Sequence, residues 1–277
     1  MAQVWLVTGS SRGLGRAIVE AGLAAGNQVL ATARDIESLS HLSERIGDQL
    51  KLFELDVTDE AVAACAVRTA IDTFGFLDVV INNAGYGNLS SVEDTPISDF
   101  RAQIETNLFG TIIVTKAALP YFRERKAGYF VQFSSIGGRF GPPGRGPYSA
   151  AKWGVEGFSE VLSREVAPLG IKVTIIEPGG FRTDFAGSST KLSEGHPEYD
   201  STVGKAARFQ RAYDGNQPGD PKKAAHAILQ LTQEQRPPLR LLLGSDAYNG
   251  AEKNDLARLE EARMWKELSL STDLESE

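Results

Sequence analysis

The chain has 277 residues, 42% hydrophobic and 23% charged, with a net charge of −7 and a pI near 5.2. That length suits one large α/β domain able to bury most of its apolar surface without disulfides, and the composition excludes disordered and fibrous classes. The acidic balance without a Lys/Arg block argues against a nucleic-acid partner, and no apolar run reaches the ~20 residues of a membrane-spanning helix.

Read along the chain, "QVWLVT" (Gln3–Thr8) is a short apolar run that stops at glycine, which predicts a buried strand. "LGRAIVEAGLAAG" carries one apolar stripe and closes at Gly26, a helix. "QVLATA" is a second strand, "ESLSHLSERIG" a helix ending at Gly47, and "LKLFELDV" a third strand. "EAVAACAVRTAIDTFG" is a helix closed by Gly75, in which Cys65, the sole cysteine, is expected as a small buried side chain. "LDVVINNAG" is a fourth strand ending in a glycine turn, and "FRAQIETNLFGTIIVTKAALPYF" reads as one long helix. "GYFVQFSS", "KVTIIEPGG" and "LRLLLG" supply the fifth, sixth and seventh strands. Residues from about Gly187 to Pro221 have no regular period and read as a functional loop. The end of the chain reads as an amphipathic helix with an acidic, frayed terminus.

Strands separated by helices are βαβ units, and apolar runs suit strands covered on both faces. The expected fold is therefore α/β: a doubly wound (Rossmann) parallel sheet of about seven strands with helices on both faces. One domain is expected over 1–277, with a lid at about 185–219 and a helical tail at about 245–277. His41, His196 and His226 have no ligand-like spacing, so no metal site is expected. The N-terminus lacks the pattern of a secretory signal, and one cysteine cannot form an internal disulfide, so a cytoplasmic location is expected.

The first strand runs into "TGSSRGLG" (Thr8–Gly15), whose glycines Gly9, Gly13 and Gly15 fall where strand gives way to helix. A pyrophosphate needs bare backbone amides and close approach at a helix N-terminus, and glycines supply both. The second strand ends at Ala33, followed by Arg34 and Asp35. Asp35 is near the expected place of the carboxylate that holds a ribose 2′-hydroxyl in an NAD-type site, yet it lies past Arg34 where it can cap the next helix, which leaves Arg34 to face a ribose 2′-phosphate, with Arg12 opposite. NADP(H) is therefore expected over NAD(H).

In "YSAAK", Tyr148 and Lys152 are four apart and share one helix face. An ammonium beside a phenol favours the phenolate, which lets the tyrosine donate a proton to a carbonyl or accept one from an alcohol. Ser135 ends the fifth strand, where ligand crevices form in doubly wound sheets, and its hydroxyl can polarise a substrate oxygen. The Gly/Pro loop "SIGGRFGPPGRGP" between them places Phe140 and its neighbours near substrate.

"TGSSRGLG", "NNAG" (Asn82–Gly85), Asn107, "SS" (Ser134–Ser135), "YSAAK" and "PGGFRT" (Pro178–Thr183), in this order, resemble the short-chain dehydrogenase/reductase family, on its hydroxysteroid and retinol dehydrogenase side. The likeness runs from about Val4 to Phe185. It implies Tyr148 as general acid/base and Ser135, rather than Ser134, as the polarising serine. Lys152 would bind the nicotinamide ribose and tune the phenol, and Asn107 would hold a relay water. It further implies cofactor contacts from Gly9, Ser11, Arg12, Gly13, Leu14 and Gly15. Others would come from Arg34, from Asp56 and Val57 beside adenine, from Asn83, Ala84 and Gly85, and from Pro178, Gly179 and Thr183. The implied activity is NADP-dependent hydride transfer at a small-molecule carbonyl or alcohol, in a homodimer or homotetramer. A nucleotide-sensing binding protein without turnover is the alternative, and the intact Ser/Tyr/Lys set counts against it.

Overall fold

Val4–Val7 is buried at every position, as a strand covered on both sheet faces must be. In the computed structural model, which describes residues 2–43, 48–185, 187 and 190–274, this strand is β1. The others are β2 (Gln28–Ala33), β3 (Leu50–Glu54), β4 (Val79–Asn82), β5 (Gly128–Phe133), β6 (Ile171–Pro178) and β7 (Arg240–Leu243). All pair in parallel in the order β3-β2-β1-β4-β5-β6-β7. The chain order reverses between β1 and β4, and a crevice opens at the carboxyl ends of the strands there.

The helices are α1 (Gly13–Ala24), α2 (Ser40–Ser43), α3 (Glu60–Phe74), α4 (Ile97–Ile104), α5 (Gly110–Arg125) and α6 (Gly146–Val166). After these come α7 (Lys205–Tyr213), α8 (Pro221–Gln233), α9 (Ser245–Met264) and α10 (Lys266–Leu270). Alternation along the strands divides the core in two. Trp5, Val7, Val131 and Ile176 face one side and pack with Ile18 of α1 and Ile228 of α8. Val4, Leu6, Val80 and Phe130 face the other and pack with Val67, Val114 and Leu162 of α3, α5 and α6. Burying a side chain of this size contributes about 1.5–3 kcal/mol, so these two layers hold the strand ends in place.

The structure departs from the sequence reading at five places. Cys65 is exposed, because it lies on the outer face of α3 between the buried Ala63 and Ala66. The long helix is interrupted between α4 and α5 by a π-turn at Glu105–Phe109 that contains Asn107. The helix expected to reach Gly47 is a 3₁₀ turn (Ile36–Leu39) and α2, and its end lies outside the described residues. The irregular segment after β6 contains the regular helix α7, held by Val203 and Ala207 against Leu89. The tail helix α9 buries only Ala247 and Ala251, while Leu256, Leu259 and Met264 are exposed, so it has no continuous apolar face on the body.

Candidate active site

The crevice is a cavity of about 390 Å³. Its floor is the glycine loop. Gly9 has φ +67, and a Cβ there would lie 2.8 Å from Ala84 Cα. A Cβ on Gly15 would lie 2.2 Å from the Gly9 carbonyl oxygen, so α1 can start against the loop only with glycine. Asn83 fastens this loop to β4: its Nδ2 donates to the carbonyls of Thr8 (3.0 Å) and Gly9 (3.1 Å). In return the Asn83 and Ala84 amides donate to Thr8 Oγ1, each at 3.0 Å. The first turn of α1 has no side-chain cap and no acidic residue, so its free N–H groups suit an anion. A dinucleotide phosphate fits this floor.

Seen from the residues expected to hold cofactor, Ser11, Arg12, Gly13, Leu14 and Arg34 line the cavity with Gly9. Val57, Asn83, Ala84 and Gly85 line its middle, and Pro178, Gly179 and Thr183 close it from the β6 side. Thr183 lies over the loop, with its Cβ 3.4 Å from where a Gly13 Cβ would stand. Two residues stay outside the lining. Gly15 lies beneath the loop, and the Asp56 carboxylate is spent on Thr58, accepting from its N–H (3.0 Å) and Oγ1 (2.7 Å). The Thr58 amide holds the Asp56 carboxyl below its usual range. Asp35 accepts from the Glu37 amide at 3.0 Å and caps the following turn, while Ala33 and Arg34 face the cavity.

At the opposite end stand Ser135, Tyr148 and Lys152. Ser135 follows β5, and its Oγ accepts from the Gly137 amide at 3.1 Å. Tyr148 and Lys152 project from the first two turns of α6, both buried. Lys152 Nζ donates to the Phe133 carbonyl at 2.7 Å and lies 5.8 Å from the Tyr148 ring centroid. Burial pushes the Lys152 ammonium down to about 8 against the pull of Glu156. The expectation that a neighbouring lysine sets a low phenol pKa is corrected here. Burial raises the Tyr148 phenol above its ordinary range, and a hydrogen bond with Ser135 and the charge of Arg145 pull it back only in part. Asn107 lines the same end; its Nδ2 donates to the carbonyls of Tyr86 (2.9 Å) and Gln103 (2.7 Å), and its Oδ1 accepts from the Tyr86 amide (3.0 Å). The π-turn is what aims it inward.

The family model described as short chain dehydrogenase matches residues 3–193. The chain belongs to the short-chain dehydrogenase family. Oxidoreductase BOA17 of Botryotinia fuckeliana is 47% identical over 274 residues, covering 98% of this chain and all of that protein. An uncharacterised oxidoreductase of Schizosaccharomyces pombe is 38% identical over 87% of this chain and 82% of its own length. A crystal structure of a short-chain dehydrogenase from Streptomyces avermitilis superposes with a TM-score of 0.91 at 40% identity, covering 98% of each chain. As a short-chain dehydrogenase the protein is an oxidoreductase acting on CH–OH or C=O groups of small molecules with a nicotinamide cofactor. Among the described residues no helix is long and apolar enough to cross a membrane.

Several wall residues escaped the sequence reading. Arg145, Gln210, Tyr213 and Gln217 also line the cavity, with Ile136 and Phe185, and of these Arg145 and Phe185 lie against the Tyr148 ring. The Gln217 amide is buried and neither of its polar atoms has a hydrogen-bond partner. Phe140, expected near substrate, is outside the lining: its ring packs against Gly250 of α9. Arg145 had one local signal, a cation three residues before Tyr148. Gln210, Tyr213 and Gln217 fall within the lid expected at about 185–219, but no local pattern singled them out, because only the folding of the segment after β6 brings them to the cavity.

Proposed function

We propose that this short-chain dehydrogenase reduces carbonyls, or oxidises alcohols, with NADP(H), and that Tyr148 carries the proton. The observation that carries this reading is the convergence of Ser135, Tyr148 and Lys152 on one end of a cavity floored by the glycine loop. The nicotinamide would supply or accept the hydride. Tyr148 gives its phenolic proton to the carbonyl oxygen as charge grows there, or takes a proton from an alcohol. Ser135, held by the Gly137 amide, presents its hydroxyl to the same oxygen. Lys152, beside the phenol, offers its ammonium to a ribose hydroxyl, a contact that weakens as pH rises through about 8. Asn107 braces the wall at Tyr86 and keeps an acceptor lone pair for a relay water. Arg34 and Arg12 face a 2′-phosphate, and the use of Asp35 as a cap supports NADP(H) over NAD(H).

Tyr148→Phe is the test, because it removes only the phenolic oxygen and its proton. NADPH titrated by its own fluorescence should bind as in the wild type. Turnover of cyclohexanone, acetophenone and benzaldehyde should fall by about 10²–10⁴-fold. A variant that keeps wild-type kcat on this panel refutes the assignment.

A further inference from the structure

Arg145 is the N-cap residue of α6 and reaches over the ring of Tyr148, its guanidinium carbon 5.9 Å from the ring centroid. Nη1 donates to the Gly87 carbonyl at 2.9 Å and Nη2 to Gln210 Oε1 at 3.1 Å. Both acceptors are neutral. Among the described residues no carboxylate pairs with this guanidinium, and the one charge-bearing group that acts on it is the Tyr148 phenol. Withdrawing a guanidinium from water without a carboxylate is costly. Here the charge is kept and aimed: Gly87 itself packs on the phenol ring, since a Cβ there would lie 2.6 Å from Tyr148 Cδ2. Gly87, Arg145 and Tyr148 form one packed group, with Gln210 of α7 fixing the far side of the fork.

We propose that Arg145 is a positioning residue for proton transfer, held over Tyr148 by Gly87 and Gln210 so that its charge stabilises the phenolate. The inference rests on Tyr148 being the acid/base. Two cations flank the ring at nearly equal distance, Lys152 at 5.8 Å and Arg145 at 5.9 Å. They are not equivalent. Lys152 gives up its proton near 8, within the range where a phenolate has to form. A guanidinium keeps its proton throughout that range, even when burial lowers its pKa as it does here. Ser135 and Asn107 are neutral. Tyr86, after β4, and Tyr213, on α7, are phenols pushed upward by burial and stay neutral as well. Asp184, after β6, is the carboxylate of the cavity lining and is exposed to solvent. Arg12 and Arg34 belong to the glycine-loop end. Arg145 is thus the cation left to oppose burial of the phenol.

The experiment is the pH profile of kcat for oxidation of cyclohexanol, 1-phenylethanol and benzyl alcohol with NADP⁺, in wild type, Arg145→Met and Arg145→Lys. An opposite charge within about 4–6 Å lowers an acid's pKa by about 1–3 units. Loss of Arg145 should therefore move the low-pH limb upward by about one unit, a roughly tenfold loss of rate at fixed pH below it, recovered at alkaline pH. Arg145→Lys should restore most of the shift. NADPH binding, unchanged in both variants, reports an intact fold. If Arg145→Met does not fold, Gln210→Leu, which releases one end of the fork, must shift the limb the same way by less. A limb that stays in place overturns the inference. So does a rate loss equal at every pH with raised KM, which makes Arg145 a substrate ligand or a brace. A limb that survives Tyr148→Phe overturns the parent reading instead, so the two failures are distinct.

Discussion

The two ends of the cavity are built by different rules. The glycine-loop end uses backbone: Gly9, Gly13, uncapped N–H groups of α1, and an Asn83 side chain that ties two neighbouring strands. Most of its parts come from one strand–helix junction. The Tyr148 end uses side chains recruited from β5, α6, α7 and the segment before α8. Behind it lies an ion network of the same long-range kind. Arg139 joins Glu177 (2.7 Å) to Asp255 (2.6 Å), and Arg240 joins Glu156 (2.9 Å) to Glu160 (2.7 Å). Backbone geometry is rigid and generic, which suits a cofactor shared by a whole family. Side chains from separate segments can vary one at a time, which suits a substrate.

The sharpest way to break the first rule is Gly15→Ala. The added methyl would meet the Gly9 carbonyl at 2.2 Å and Asn83 Nδ2 at 2.5 Å. A backbone carbonyl cannot rotate aside, so the cost lies at the upper end for overpacking, about 3 kcal/mol. NADPH affinity and thermal stability should both drop, and NADPH titration with a melting curve shows it. Unchanged values for both mean that the loop moves aside for the methyl. Arg34→Ala probes the same end more gently. Losing one charge-assisted contact to a 2′-phosphate costs about 1.5–3 kcal/mol, so the NADPH/NADH ratio of kcat/KM should fall by roughly 10- to 150-fold. A wild type that prefers NADH, or a ratio that stays put, returns the ribose to Asp35.

The smallest effect tests the network behind Tyr148. Burial pushes Glu177 up to about 7, and Arg139 opposes the shift. A carboxyl whose folded pKa is raised binds its proton more tightly in the native state, so its contribution to stability falls as pH rises from about 4.5 through about 7. Glu177→Gln removes that slope, and Arg139 keeps Asp255 as its partner. Denaturant titrations at pH 5 and pH 8 should show the variant gaining up to about 2 kcal/mol on the wild type between the two. A difference that is the same at both pH values places the titration elsewhere.

Strand and helix order was legible because period-2 and period-3.6 patterns are local. The glycine loop, Ser135, Tyr148 and Lys152 were legible because each sits at a junction that such patterns mark. Cys65 was misread because its outward direction depends on which face of α3 meets the sheet, and the Ala-rich pattern around it leaves that open. Asn107 was placed on a regular helix, although the π-turn that turns it inward is a departure from period. Phe140 was assigned to the cavity, but α9, more than 100 residues later, takes its ring.

By itself, the sequence determined the parallel sheet, its crevice and the local chemistry of each motif, since these follow from neighbours within one or two turns of chain. Only the tertiary structure decided that Arg145 joins Lys152 beside the phenol, that Gln210 fixes Arg145, and that burial rather than a lysine dominates the pKa of Tyr148. Desolvation and long-range charge depend on what packs around a group, and that is fixed only when distant segments meet.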